Sequence, residues 1–209
     1  MTACGTMCPL SPWNGESEKA VVRLTIKLML GTLAVGLAPM GAVSGRDSED
    51  HIPRLSIGVS LPRLSGEFLT GRQVTLPDEV RGRVALLAFG FTYNSRFPVE
   101  IWSGRFRKEF AGNSRVTFYE IPMIGGLARL GRFFIDRGMR RGTPSNLHEN
   151  VITVYGGVDP WKSRIGYAQP DEAYLVLLDS AGIIRWTHRG EFDEHIFTEL
   201  RQVVMNLLT

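Results

Sequence analysis

Few side chains in this sequence are of a type that does chemistry, and their spacing narrows what that chemistry is. Cys4 and Cys8 stand with three residues between them, and residues 9–209 hold no thiol. That spacing matches no common zinc or dithiol motif, so the bulk of the chain has neither a disulfide framework nor a cysteine nucleophile. Asn94, Ser95 and Arg96 lie between an apolar run and Pro98. Backbone N–H groups at a helix N-terminus favour anions, so these residues suit an anion or a peptide carboxylate; ordinary helix capping by Asn94 or Ser95 is the plainer use. No histidine lies close to Ser95 in sequence, which argues against a hydrolase. The histidines are His51, His148, His188 and His195, and only the last two, seven apart across a strand-to-helix turn, are placed to meet. As a metal pair they lack the thiolates that select cuprous copper. Arg129, Arg132, Arg137, Arg140 and Arg141 cluster around the single acid Asp136. They make a basic face for an anionic membrane or an acidic protein, or simply a solvated helix surface.

The elements that must position these groups follow from hydrophobic period. Residues 84–91 are a buried strand that feeds a loop and then a helix. After Pro98, which suits a first helical turn, Val99, Trp102, Phe106 and Phe110 recur at helical steps opposite Arg105, Arg107 and Lys108. Residues 116–121 are β-branched and aromatic, hence a strand. Gly125 and Gly126 precede Leu127, Leu130, Phe133 and Phe134, the apolar set of a second helix ending near Gly138 or Gly142. Residues 143–150 are a loop and 151–155 a strand. Asp159 and Pro160 suit the cap and first position of a short helix. A hairpin over residues 174–188 turns at 180–182, and a clean helical stripe runs from Asp193 to the C-terminus. Ahead of the central strand, Gly71 separates two short strands.

The chain has 209 residues, 44% hydrophobic and 22% charged, enough for one globular domain plus an extension. A net charge of +3 is too weak to argue for nucleic acid. Arg23 and Lys27 precede the apolar residues 28–43, and Ala42 and Ser44 give small residues before Gly45. This is the pattern of a secretory signal, or of an uncleaved anchor. The expected organisation is an N-terminal extension over 1–44, a polar linker over 45–60 and a folded domain over 61–209. The protein is expected to be exported, periplasmic or attached to the outer face of the inner membrane. A mitochondrial destination fits the acidic extension less well.

Two segments carry a family resemblance. Residues 66–77 read G-x-x-L-T-G-x-x-V-T-L-P ahead of R-G-R-V-A-L-L-A-F, and Asp179, Gly182, Ile184, Arg185 and Trp186 make D-x-x-G-x-I-R-W. Both resemble the thioredoxin-like superfamily. With the cysteines missing, the chain is most similar to the redox-inactive mitochondrial ATP-synthase assembly factors of the ATP-ten type and their bacterial relatives. The likeness covers roughly residues 61–208 and is specific over 174–189.

The resemblance implies an α/β, thioredoxin-like three-layer sandwich: a central mixed sheet flanked by helices. It puts Asn94 and Phe97 where the C-x-x-C thiols would be. Ala173 falls at the expected cis-proline position, with Pro170 three residues early. What is then left is a peptide-docking surface in which Tyr93, Asn94, Ser95, Arg96 and Phe97 face Pro170 and Ala173. The implied function is a non-redox binding or assembly factor, linked to ATP-synthase or respiratory-complex assembly. It has no catalytic residue and no cofactor. Its partner is a protein, such as a membrane complex, rather than nucleic acid or a tightly bound small molecule. Arg129, Arg132, Arg185 and Trp186 are candidates for the partner surface, although a strand tryptophan is as often core. The alternatives are a peroxiredoxin-like or thiol-disulfide oxidoreductase relative, which needs a cysteine, and a metal carrier using His188 and His195.

Overall fold

The computed structural model describes residues 52–209. The residues read as a signal or anchor, the two cysteines and His51 lie outside the described residues. Among those described, no helix is long and apolar enough to cross a membrane.

Seven strands form one mixed sheet: β1 (Leu64–Phe68), β2 (Gln73–Leu76), β3 (Val84–Gly90), β4 (Val116–Ile124), β5 (Ile152–Tyr155), β6 (Ala173–Leu178) and β7 (Ile184–Gly190). Their spatial order is β2-β1-β5-β4-β3-β6-β7. The strand β3 pairs in parallel with β4, and β4 with β5, whereas β6 and β7 add antiparallel on the other side of β3. Every residue of β3 is buried, which is why its sequence is a continuous apolar run: a central strand is covered on both faces.

The strand alternation divides the core in two. Ala85, Leu87 and Phe89 face a cluster closed by α3 (Val158–Ile165) through Val158 and Trp161. Val84, Leu86 and Ala88 face the opposite cluster, built with Val99, Trp102 and Phe106 of α1 (Arg96–Glu109) and Phe197, Leu200 and Val204 of α4 (Glu194–Leu208). Asp193 caps α4, its Oδ1 accepting from the His195 and Ile196 N–H groups at 2.8 and 3.0 Å.

Three local expectations are corrected. The end of the supposed linker belongs to the domain: Leu55 N–H donates to the Arg164 carbonyl at 2.8 Å and Gly58 N–H to that of Ile184 at 2.8 Å. The short helix α3 is capped at Gly157, not Asp159, and Pro160 is its third residue. The third correction is the largest. Residues 126–131 form a 3-10 turn that leads into α2 (Arg132–Gly142), and this segment is attached by its polar side. Arg132 pairs with Glu67 and lies 3.5 Å from Asp136. Asp136, 7% exposed, accepts the Tyr155 hydroxyl at 2.6 Å. Arg140 donates to the Leu69 carbonyl at 2.6 Å. Positions 132, 136 and 140 are successive i, i+4 steps, so one polar stripe faces the sheet. Leu127, Leu130, Phe133 and Phe134 are left 76, 82, 67 and 77% exposed.

Candidate functional site

The C-terminal ends of the parallel strands β3, β4 and β5 and the start of antiparallel β6 share one edge of the sheet. In open α/β sheets that edge is where ligands bind. Two loops meet there, 91–95 ahead of α1 and 168–172 ahead of β6.

Thr92 joins them. Its Oγ1 lies 2.7 Å from Asp171 Oδ1 and 3.2 Å from the Pro170 carbonyl, and accepts the Ser95 N–H at 3.1 Å. Asn94 Nδ2 donates to Asp171 Oδ2 at 3.3 Å. In return Ser95 Oγ accepts the Thr92 N–H at 3.1 Å and donates to the Thr92 carbonyl at 2.8 Å. Thr92 and Ser95 thus cap each other across three residues, the reciprocal arrangement of a capping box. The close packing reaches the strand end, because a Cβ on Gly90 would sit 2.7 Å from Ser95 Oγ. The facing loop is braced by Tyr174, whose hydroxyl accepts the Ala168 and Gln169 N–H groups, each at 2.9 Å, and donates to the Gln169 carbonyl at 2.8 Å. Phe91 stands edge-on to Tyr167 and Tyr174, with ring centroids 5.2 and 5.6 Å away.

This geometry sorts the expected site residues. Asn94 and Pro170 lie on the two loops that meet, Asn94 bonding Asp171 and the Pro170 carbonyl lying near Thr92 Oγ1. Ser95 does not belong to a binding surface, being 0% exposed with its hydroxyl spent on Thr92; it does not cap α1 by its side chain either. Ala173 is likewise withdrawn: it is the first residue of β6 and packs in the core shared with α1 and α4. The Asp171 carboxylate takes the side-chain donors of Thr92 and Asn94 in the loop ahead of α1. Thr92 and Asp171 are the residues that sequence reasoning missed. The available signal was chemical complementarity: a carboxylate in one loop and the hydroxyl and amide donors in the other.

Outside the clamp lies an exposed patch. The Arg96 guanidinium sits 4.7 Å from the ring centroids of both Tyr93 and Phe97. The two rings are 47 and 48% exposed, and Ile101, one turn beyond Phe97, is exposed as well. A cation held between two aromatic faces is fixed in direction at little entropic cost. A cavity of about 340 Å³ opens on the same edge, lined by Phe91, Met123, Gly125, Gly126, Gly157 and Lys162 among others.

Apart from Arg129, the remaining candidates have structural partners. Arg132 is paired as described, and its guanidinium lies 4.9 Å from the Tyr155 ring centroid. Burial, then the bond to Asp136, pushes the Tyr155 phenol upward. Arg185 bonds Asp179 at 2.6 Å. Trp186 is half-buried and stacks on His188 with centroids 5.7 Å apart. Of Arg129 only the position in the 3-10 turn is described. His188, whose pKa burial lowers, packs between Trp186 and Trp102. His195 Nδ1 lies 3.5 Å from Glu199. Among the described residues no three His, Cys, Asp or Glu side chains form a metal-binding group.

No protein-family model and no curated protein matches the chain. Solved structures do. A protein assigned as a disulfide isomerase from Bacteroides thetaiotaomicron superposes with a TM-score of 0.52 at 19% identity, over 74% of this chain and 92% of that one. A protein assigned as the thiol:disulfide interchange protein DsbE from Chlorobium tepidum gives 0.52 at 16%, over 74% and 99%. The fold is thioredoxin-like. BsSco, of the Sco family of cytochrome c oxidase assembly proteins, gives 0.50 at 11%, over 72% and 97%. At these identities the likeness is one of fold alone, and the thioredoxin-like α/β sandwich with its mixed sheet stands as expected.

Replacing Thr92 by valine keeps the side-chain shape and removes the contacts of its hydroxyl with Asp171, the Pro170 carbonyl and the Ser95 N–H, leaving Asn94 bonded to Asp171. Thr92→Val is expected to cost about 1–2 kcal/mol in urea unfolding and to speed amide exchange across residues 93–96. An unchanged unfolding midpoint would mean that the clamp does not hold the loop.

Proposed function

We propose that this thioredoxin-like domain binds an extended polypeptide and carries out no dithiol exchange. It would act as an exported binding or assembly factor. The observation that carries this reading is the Thr92–Asn94–Asp171 clamp. The two loops that meet at the sheet edge are tied by hydrogen bonds where a reacting pair would have to sit, and residues 9–209 contain no thiol. Beside the clamp, Tyr93, Arg96 and Phe97 present aromatic and cationic surface, the composition of a protein-binding hot spot.

An assembly role is supported by two strands of likeness. BsSco, with the same fold, is described as belonging to a family of cytochrome c oxidase assembly proteins. The narrower resemblance to ATP-synthase assembly factors rests on residues 174–189 of the sequence. The signal-like segment ahead of the domain supports a place in the periplasm or on the outer face of the inner membrane.

The test is a photo-reactive residue at position 97 of the full chain, with one at Thr198 as control, irradiated in the native membrane fraction. A discrete adduct with one protein from position 97 alone is expected. Absence of any such adduct, or turnover by the wild type in an insulin-reduction assay, would overturn the proposal.

A further inference from the structure

The segment 126–142 has its amphipathicity reversed. Its polar positions, Arg132, Asp136 and Arg140, are consumed in holding it to β1, β5 and the chain after β1. Leu127, Leu130, Phe133 and Phe134 therefore point away from the domain at 67–82% exposure. The Phe133 and Phe134 rings touch, with centroids 5.6 Å apart, and four large side chains this exposed present apolar surface on the order of 500 Å², the size of the largest patch on a typical monomer, which is often functional. The charge on this face has one sign. Residues 125–142 hold five arginines and one acid, and that acid, Asp136, is turned inward. Arg137 and Arg141 follow Phe133 and Phe134 by one and two helical turns and are exposed. Neither makes an ion pair or hydrogen bond with another described residue.

We infer that residues 127–141 form a lipid-docking wedge. Leu127, Leu130, Phe133 and Phe134 enter the acyl boundary of a membrane, and Arg137 and Arg141 meet anionic headgroups. An apolar tip followed by unpartnered arginines is the layout of interfacial segments. Each arginine near an anionic surface adds to the attraction. An acidic protein would satisfy the arginines but would leave the apolar tip without a matching chemistry. The sequence also places the apolar run 28–43 just ahead of the domain, so a membrane is the surface that export or anchoring brings it to. The inference stands apart from the loop clamp and does not need it.

The experiment uses the full chain with Cys4→Ser, Cys8→Ser and Leu130→Cys, labelled at position 130 with an environment-sensitive nitrobenzoxadiazole dye. A Thr198→Cys label on α4, which packs at the opposite end of the sheet, is the control. Because the reporter is local, binding through the N-terminal apolar run does not mimic the signal. With phosphatidylcholine vesicles containing phosphatidylglycerol, the emission at position 130 is expected to brighten and shift to the blue, while that at 198 does not move. Phe133→Ser with Phe134→Ser, and separately Arg137→Glu with Arg141→Glu, should each raise the lipid needed by roughly tenfold or more. No shift at position 130 at any lipid concentration overturns the inference. So does a response to neutral vesicles that the charge reversal leaves unchanged. A blue shift that grows with protein concentration in the absence of lipid overturns it in favour of a second copy of the chain.

Discussion

Trp102→Ala is expected to lower the stability of the domain by about 3–5 kcal/mol, the cost of emptying a large buried aromatic site. Trp102 is 0% exposed and joins three elements. It stands on α1, donates from Nε1 to the Gly190 carbonyl at the end of β7 at 3.3 Å, and packs edge-on to Phe192 at 4.9 Å, with Phe197 of α4 at 6.3 Å. Small domains have only about 5–15 kcal/mol in total, so the variant should be largely unfolded at 37 °C. Trp102→Phe separates packing from the hydrogen bond. It refills most of the site and removes the bond to the Gly190 carbonyl, and should cost about 1–2 kcal/mol. Urea unfolding at low temperature measures both. A loss below about 1.5 kcal/mol for the alanine variant would show that α1, which carries the candidate loop, is not held through this residue.

Glu120→Gln is expected to stabilise the domain above neutral pH and to change little at pH 4. Glu120 lies on β4 beneath α1. Burial, and after it the charge of Glu100, pushes its carboxyl up to about 7 from the ordinary 4.5, against the weaker pull of Ser103 and Arg107. A carboxyl whose pKa is raised on folding binds its proton more tightly in the folded state. Its contribution is therefore fully present below 4.5 and is lost as pH rises toward 7. The parent should lose roughly 2 kcal/mol across that window, allowing for partial solvation of the side chain. The glutamine variant, neutral throughout, should lack this slope. Parallel stability–pH curves for the two proteins between pH 4 and 8 would mean that the carboxylate is better solvated than its surroundings imply.

The fold was legible because it rests on periods that survive in any context. The continuous apolar run of β3, the three- and four-residue steps of α1 and α4, and the turn between β6 and β7 each bury one continuous face, and the strand and helix order follows. The absence of a thiol from residues 9–209 is equally a property of the sequence, and it limits the chemistry before any coordinate is known.

Only the tertiary structure decided the site and the second surface. Residues 92 and 171 are 79 apart in the chain, and nothing local in either announces the other. Their bond exists because β3 and β6 are antiparallel neighbours that bring the two loops to one edge. Ser95 looked available in sequence and is buried, since its hydroxyl closes the turn with Thr92. The segment 126–142 shows the limit most plainly. Period alone gives it an apolar face and a polar face and cannot tell which one meets the protein. Here the polar partners Glu67, Tyr155 and Leu69 are supplied by distant strands and the loop after β1, so the polar face is drawn inward and four large apolar side chains are left outside.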